Sequence, residues 1–250
     1  MNAHTERRLL AGPSGPLEVA LDAPADPAHA LGLALVCHPH PLHGGTLDNK
    51  VVQTLARAFV QLGWRTLRLN YRGVGQSAGV WDEGRGETDD AQQALLSLAQ
   101  AHEPLLLAGF SFGGFVAAQL AQRLADSGRA ARRLVLVGPA TANFAVPPVA
   151  ADTVVVHGEA DEVVPLQATL DWARPQALPV TVLPGVPLFS RTTAFAEVGR
   201  PAGLGSRACR QCQLNTFPQT NVPSPEPPPT VTAPKHHPPR GDWFSAPSCA

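Results

Sequence analysis

Six short runs rich in apolar residues recur between residues 31 and 185, and amphipathic stretches separate most of them. The first, LGLALVCHP (31–39), is a continuous apolar run bounded by Pro and Gly, the pattern of a strand buried on both faces. NKVVQTLARAFVQLG (49–63) follows, with Val51, Val52, Leu55, Ala58, Phe59 and Leu62 on one helical face and Gly63 to end it. WRTLRLNYRG (64–73) reads as the next strand. TDDAQQALLSLAQAH (88–102) reads as a helix, opened by Thr88 as N-cap and two acids in its first turn. Then come PLLLAGF (104–110, strand), GGFVAAQLAQRLADSG (113–128, helix), RRLVLVGP (132–139, strand), ADTVVVHG (151–158, strand), PLQATLDWA (165–173, helix) and LPVTVLPG (178–185, strand). Strands alternating with helices over short connections specify an α/β domain with a mostly parallel sheet and helices on both faces.

The pattern stops near Gly185. Residues 187–250 show no period of 2 or 3.6, and eleven of the chain's 26 prolines lie between 201 and 250. That composition buries too little apolar surface to offset the ordering of the chain, so disorder is expected there. The expected organisation is one domain over residues 1–186, incomplete at its C-terminal end, and a Pro-rich tail over 187–250. The formal net charge is −1, which gives no attraction to nucleic acid or to an acidic membrane. No apolar run approaches the roughly 20 residues that span a bilayer. The N-terminal residues lack the apolar core of a signal peptide, and four cysteines form no disulfide framework, so a reduced, cytoplasmic protein is expected. Cys37, inside an apolar run, reads as a core residue.

LLLAGFSFGGFVAA (105–118) carries the strongest chemical signal. Gly109-Phe110-Ser111-Phe112-Gly113 fits G-x-S-x-G between a buried strand and a helix, the setting of a nucleophile elbow. A serine in that turn stands at a helix N-terminus, where free N–H groups favour developing negative charge. HPHPLHGGTLDNKVV (38–52) follows the first strand and suits a loop that donates a second N–H to an oxyanion. Pro39 and Pro41 have no N–H, which leaves His40 as the donor, paired with the N–H of Phe112. His38, His40 and His43 also cluster, but no carboxylate motif accompanies them and no metal site is assigned. VVVHGEADEVVP (154–165) ends a strand in an acidic turn. Asp161 is the expected triad acid, with Glu159 and Glu162 as alternates and His157 as a support of the turn. NYRGVGQSAG (70–79) is Gly-rich but lacks the G-x-G-x-x-G and Walker patterns, so no nucleotide site is assigned. Cys209 and Cys212 make a single C-x-x-C with no partner pair.

Together HPHPLHGGTLDNKVV, LRLNYRGVGQSAG with WDEGRGETDD, AGFSFGGFVAA and VVHGEADEVVP resemble a family of small bacterial predicted hydrolases of the α/β-hydrolase superfamily. The resemblance covers roughly residues 15–186. It implies an α/β-hydrolase fold, a Ser-His-Asp triad and no cofactor. The family continues from V-x-P-G into a His-Phe-Phe segment and a final helix. Here VLPGVP is followed by LFSRTT, and the only later histidines are His236 and His237. A shift of reading frame near residue 187 accounts for both changes, because codons for residues 188–193 can be chosen so that the +1 frame reads Ser-Ser-His-Gly-Arg-Leu.

The function expected from these readings is a serine hydrolase acting on an ester, thioester or amide carbonyl, impaired by loss of its catalytic His. The alternative is a catalytically inactive binding protein on the same fold. The linker 138–151 is too short for a lid domain, so an open site for a small-molecule or acyl substrate is expected.

Overall fold

The computed structural model describes residues 5–186. The chain divides into two units, Met1–Ala202 and Gly203–Ala250, and all described residues belong to the first. The expected tail over 187–250 lies outside them, as do His236 and His237.

Eight strands form one sheet in the order β1-β2-β4-β3-β5-β6-β7-β8. They are β1 (Glu6–Gly12), β2 (Gly15–Asp22), β3 (Leu33–Cys37), β4 (Arg65–Leu69), β5 (Leu105–Phe110), β6 (Arg133–Val137), β7 (Val154–Gly158) and β8 (Val180–Leu183). From β4 to β8 every neighbouring pair is parallel, whereas β1 and β2 form an antiparallel hairpin whose inner strand pairs antiparallel with β4. The helices are α1 (Lys50–Gln61), α2 (Arg85–Leu98), α3 (Phe112–Asp126) and α4 (Leu166–Ala173).

Successive residues of a strand point to opposite faces, and β3 shows the consequence. Leu33, Leu35 and Cys37 join the core under α2, α3 and α4, while Ala34 and Val36 join the core under α1. All five are buried, which is why the run carries no polar residue. The α/β reading with helices on both faces therefore holds. The segment between β6 and β7 contains no helix or strand, so no lid is built there.

Three local readings change. No strand is expected before residue 31, yet β1 and β2 lie within residues 6–22. Helix α2 begins at Arg85, not at Thr88: Gly84 is its N-cap, and Glu87 accepts the Gly84 N–H at 2.8 Å and the Asp82 N–H at 3.0 Å. Thr88 lies inside the helix and turns its hydroxyl back to the Gly84 carbonyl at 2.6 Å. Leu62 is the C-cap of α1 and is exposed, while Gly63 takes the left-handed conformation (φ 90°) that ends the helix.

Candidate active site

The parallel strands all end on one edge of the sheet, and the residues singled out in the sequence follow those ends. Ser111 comes directly after β5. It holds φ 54° and ψ −118°, a region that L-residues avoid. Its neighbours make that turn the one available. A Cβ on Gly109 would overlap the carbonyl of Gly113, and a Cβ on Gly113 would overlap the carbonyl of Cys37 at the end of β3. Both glycines serve close approach, because neither has positive φ. The backbone of Ser111 is then fixed from β6: its N–H donates to Val137 O at 3.0 Å and its carbonyl accepts from Ala140 at 3.2 Å. The Phe112 N–H is the first of α3 and donates to no acceptor among the described residues.

The loop after β3 lies against this turn. The His40 ring sits 5.2 Å from the Phe112 ring, 4.5 Å from Trp81 and 6.0 Å from Phe144. The His40 carbonyl accepts from His43 at 3.1 Å and from Gly45 at 3.0 Å, and its Nδ1 accepts from Leu42 N–H at 3.3 Å. Its own N–H donates to nothing among the described residues. Burial, and then the neighbouring His43, hold the His40 imidazole below its ordinary pKa.

His38 behaves differently from its neighbour two residues on. It is buried, with its ring tilted 42° to that of Tyr71 and the centroids 4.1 Å apart. The Tyr71 N–H can only donate, and it points at His38 Nε2 at 3.2 Å. Nε2 is therefore the acceptor, so the ring proton sits on Nδ1 and donates to Pro39 O at 2.7 Å. Burial pushes the His38 pKa down to about 3, which keeps the ring neutral. Burial also pushes the Cys37 thiol up to about 12, in keeping with an unreactive core residue.

The third segment follows β7. Strands β5, β6 and β7 are neighbours, so their ends lie about 10 Å apart across the sheet at two interstrand spacings. Asp161 is largely buried there, and its Oδ1 accepts the N–H groups of Val163 (2.9 Å) and Val164 (3.0 Å). Oδ2 has no partner among the described residues. His157 Nε2 donates to Val164 O at 2.9 Å and so braces the turn. Of the alternates, Glu159 is exposed and accepts the Gly185 N–H at 2.7 Å, and Glu162 is exposed. Gly185 follows β8 and so lies beside the β7 turn.

The Gly-rich loop 70–79 is occupied by protein. Glu18 of β2 accepts from Asn70 Nδ2 at 2.8 Å and from Gln76 N–H at 2.9 Å, and a Cβ on Gly75 would overlap its carboxylate. Arg72 donates from Nε and Nη2, one edge of its guanidinium, to the two carboxylate oxygens of Asp90 at 2.9–3.0 Å and ties the loop to α2. In the sequence His38 stood out only as part of a histidine cluster, and Trp81 and Phe144 did not stand out at all. They come from three separate connections, and no spacing rule joins them.

Among the described residues, no group of three or more His, Cys, Asp or Glu is arranged to hold a metal, and no helix is long and apolar enough to cross a membrane. The family described as serine aminopeptidase, S33, matches residues 40–153. An α/β serine hydrolase without a lid from Xanthomonas campestris is 35% identical, with a TM-score of 0.66 over 76% of this chain and 88% of its own. An α/β serine hydrolase homologue from Coxiella burnetii is 37% identical, with a TM-score of 0.66 over 74% of this chain and 89% of its own. An uncharacterised Rickettsia prowazekii protein, RP471, is 43% identical over 115 residues, and the chain spans about half (48%) of that curated relative. With this sheet order and these likenesses across three quarters of its length, the chain belongs to the α/β serine hydrolases.

Proposed function

We propose that the chain is a serine hydrolase of esterase, thioesterase or peptidase type, with Ser111 as its nucleophile. The observation that carries this is the backbone of Ser111: a non-glycine residue held at φ 54° between a buried strand and a helix, with glycines two positions either side. Strain of about 1–3 kcal/mol is retained where a function uses it. In this reading Ser111 Oγ attacks the substrate carbonyl carbon and gives up its proton to a base. The carbonyl oxygen takes negative charge between the N–H groups of His40 and Phe112, both without a protein acceptor among the described residues. The tetrahedral centre collapses, the alcohol, thiol or amine departs with a proton, and water releases the acyl group from Ser111. Asp161 is the acid that orients the base: two backbone N–H groups fix Oδ1 and leave Oδ2 to accept from an imidazole.

The base itself is the unfilled role. After Asp161 the sequence has histidines only at 236 and 237, both outside the described residues. The chain as written is therefore an impaired hydrolase, slowed on the order of 10⁶-fold in kcat when a triad loses its base. The test is p-nitrophenyl acetate hydrolysis with and without added imidazole, beside Ser111→Ala. Slow turnover that imidazole raises and Ser111→Ala abolishes supports the reading. Turnover equal in both proteins refutes the nucleophile and leaves a binding protein on a hydrolase fold, the second reading, which the missing base favours.

A further inference from the structure

We propose that His38 is a positioning residue for the oxyanion hole, acting by fixing the orientation of the Pro39–His40 peptide. The inference rests on the reading of the His40 N–H as an oxyanion donor, and adds what aims that N–H.

The geometry is that of one peptide plane. The bond is trans, so the Pro39 carbonyl and the His40 N–H point in opposite directions within it. Whatever holds the carbonyl therefore aims the N–H. The His38 Nδ1–H donates to Pro39 O at 2.7 Å. Its other nitrogen is committed to the Tyr71 N–H at 3.2 Å, which fixes both the tautomer and the ring plane. The ring itself is fully buried, so it has no alternative partner in solvent. Gly45 closes the other side of the same carbonyl: a Cβ there would overlap Pro39 O, and its N–H donates to His40 O at 3.0 Å. Pro39 has no N–H, so the preceding peptide cannot substitute as donor. If the peptide turned over, the carbonyl oxygen would face the developing oxyanion in place of a proton, and the hole would repel the charge that it has to hold.

The two ring nitrogens can be replaced separately. An Asn amide reaches the position of Nδ1 and can still donate to Pro39 O. A Gln amide reaches the position of Nε2 and can accept from Tyr71, but leaves Pro39 O unheld. The measurement is covalent labelling of the full chain by a fluorophosphonate in imidazole buffer, followed to saturation in probe concentration. Ser111 Oγ attacks phosphorus, fluoride leaves, the proton passes to buffer imidazole, and the phosphoryl oxygen occupies the hole. His38→Gln should lower the maximal labelling rate on the order of 10–100-fold, somewhat short of deleting a donor outright, with the half-saturating concentration unchanged. His38→Asn should stay within about threefold of the parent, a rescue that packing alone does not provide. Circular dichroism melts identify a temperature at which all variants are folded, and labelling is compared there. Equal slowing by Gln and Asn, or parent-like labelling in His38→Gln, overturns the role of His38 while the Ser111 reading stands. Labelling that survives Ser111→Ala overturns that reading, and the proposal with it.

Discussion

Acid should unfold this protein through His38, and the size of the effect follows from its burial. In the unfolded chain the imidazole has its ordinary pKa of 6.5, whereas in the fold burial lowers it to about 3. Between those values the unfolded state binds a proton that the folded state excludes. Stability is therefore full above pH 6.5 and falls as the pH drops toward 3. One pKa unit is worth about 1.4 kcal/mol, so the loss from this group is on the order of 1 kcal/mol at pH 5.5 and about 3 kcal/mol at pH 4.5. The second figure is insensitive to the folded value, because any pKa below about 4 leaves the ring essentially neutral at pH 4.5. Against a total of about 5–15 kcal/mol this is a large fraction. Urea unfolding at pH 8, 5.5 and 4.5 should be run on the parent and on His38→Asn, which has no proton to gain. The parent should lose about 3 kcal/mol more than the variant between pH 8 and 4.5. Equal losses in the two proteins would refute the reasoning, by showing that His38 takes its proton within the fold.

Three further outcomes are expected. Ser111→Gly should stabilise the chain by about 1 kcal/mol in urea unfolding, since glycine enters this backbone region without strain, while fluorophosphonate labelling disappears; a destabilised variant would show that the turn carries no strain. Asp22→Ala should cost about 3 kcal/mol, because it removes the buried carboxylate paired with Arg68 at 3.0 Å and leaves that guanidinium only the Leu47 carbonyl and the longer Asp48 contact at 3.5 Å, whereas Glu6→Ala at the exposed pair with Arg8 should leave the urea midpoint nearly unchanged. Restoring the +1 frame after Pro187 should supply a base and raise p-nitrophenyl acetate turnover by several orders of magnitude in a Ser111-dependent way, and a repaired chain no faster than the parent would count against the frameshift.

Strands β3 and β5 were legible because both of their faces are buried, so each is written wholly in apolar residues, and β6 and β7 come close to that; β4, with two arginines and a threonine, and the half-exposed β8 were legible from their apolar residues and from the turn residues that bound them. Strand β2 was not legible for the opposite reason. It buries Glu18 and Asp22, whose charges are met by Asn70, Gln76 and Arg68, residues 46–58 positions away in sequence. Until those partners are known, the two acids read as a surface loop. The start of α2 was misread because its cap is a backbone device: Gly84 in the left-handed region, with Glu87 reaching back. At the site, the G-x-S-x-G spacing was visible because sterics at Gly109 and Gly113 demand those residue types. The difference between His38 and His40 was not visible. Both occur as His-Pro, and only the fold shows that one ring is sealed against Tyr71 while the other lies among Trp81 and Phe144.

The hairpin at the head of the sheet has a consequence for how these molecules meet one another. An outermost strand offers unpaired backbone groups to any extended chain that drifts past. Strand β1 begins Glu6-Arg7-Arg8, with Arg8 bound to Glu6 and Arg7 bound to Glu18 and Asp48. A newcomer would have to strip water from these charges before gaining its first ladder bond. At the other end of the described sheet, β8 is four residues long and stands between Pro179 and Pro184, neither of which has an N–H to offer. The sheet thus stays open in shape yet closed to growth, and crowded copies have little means of zipping together through their backbones.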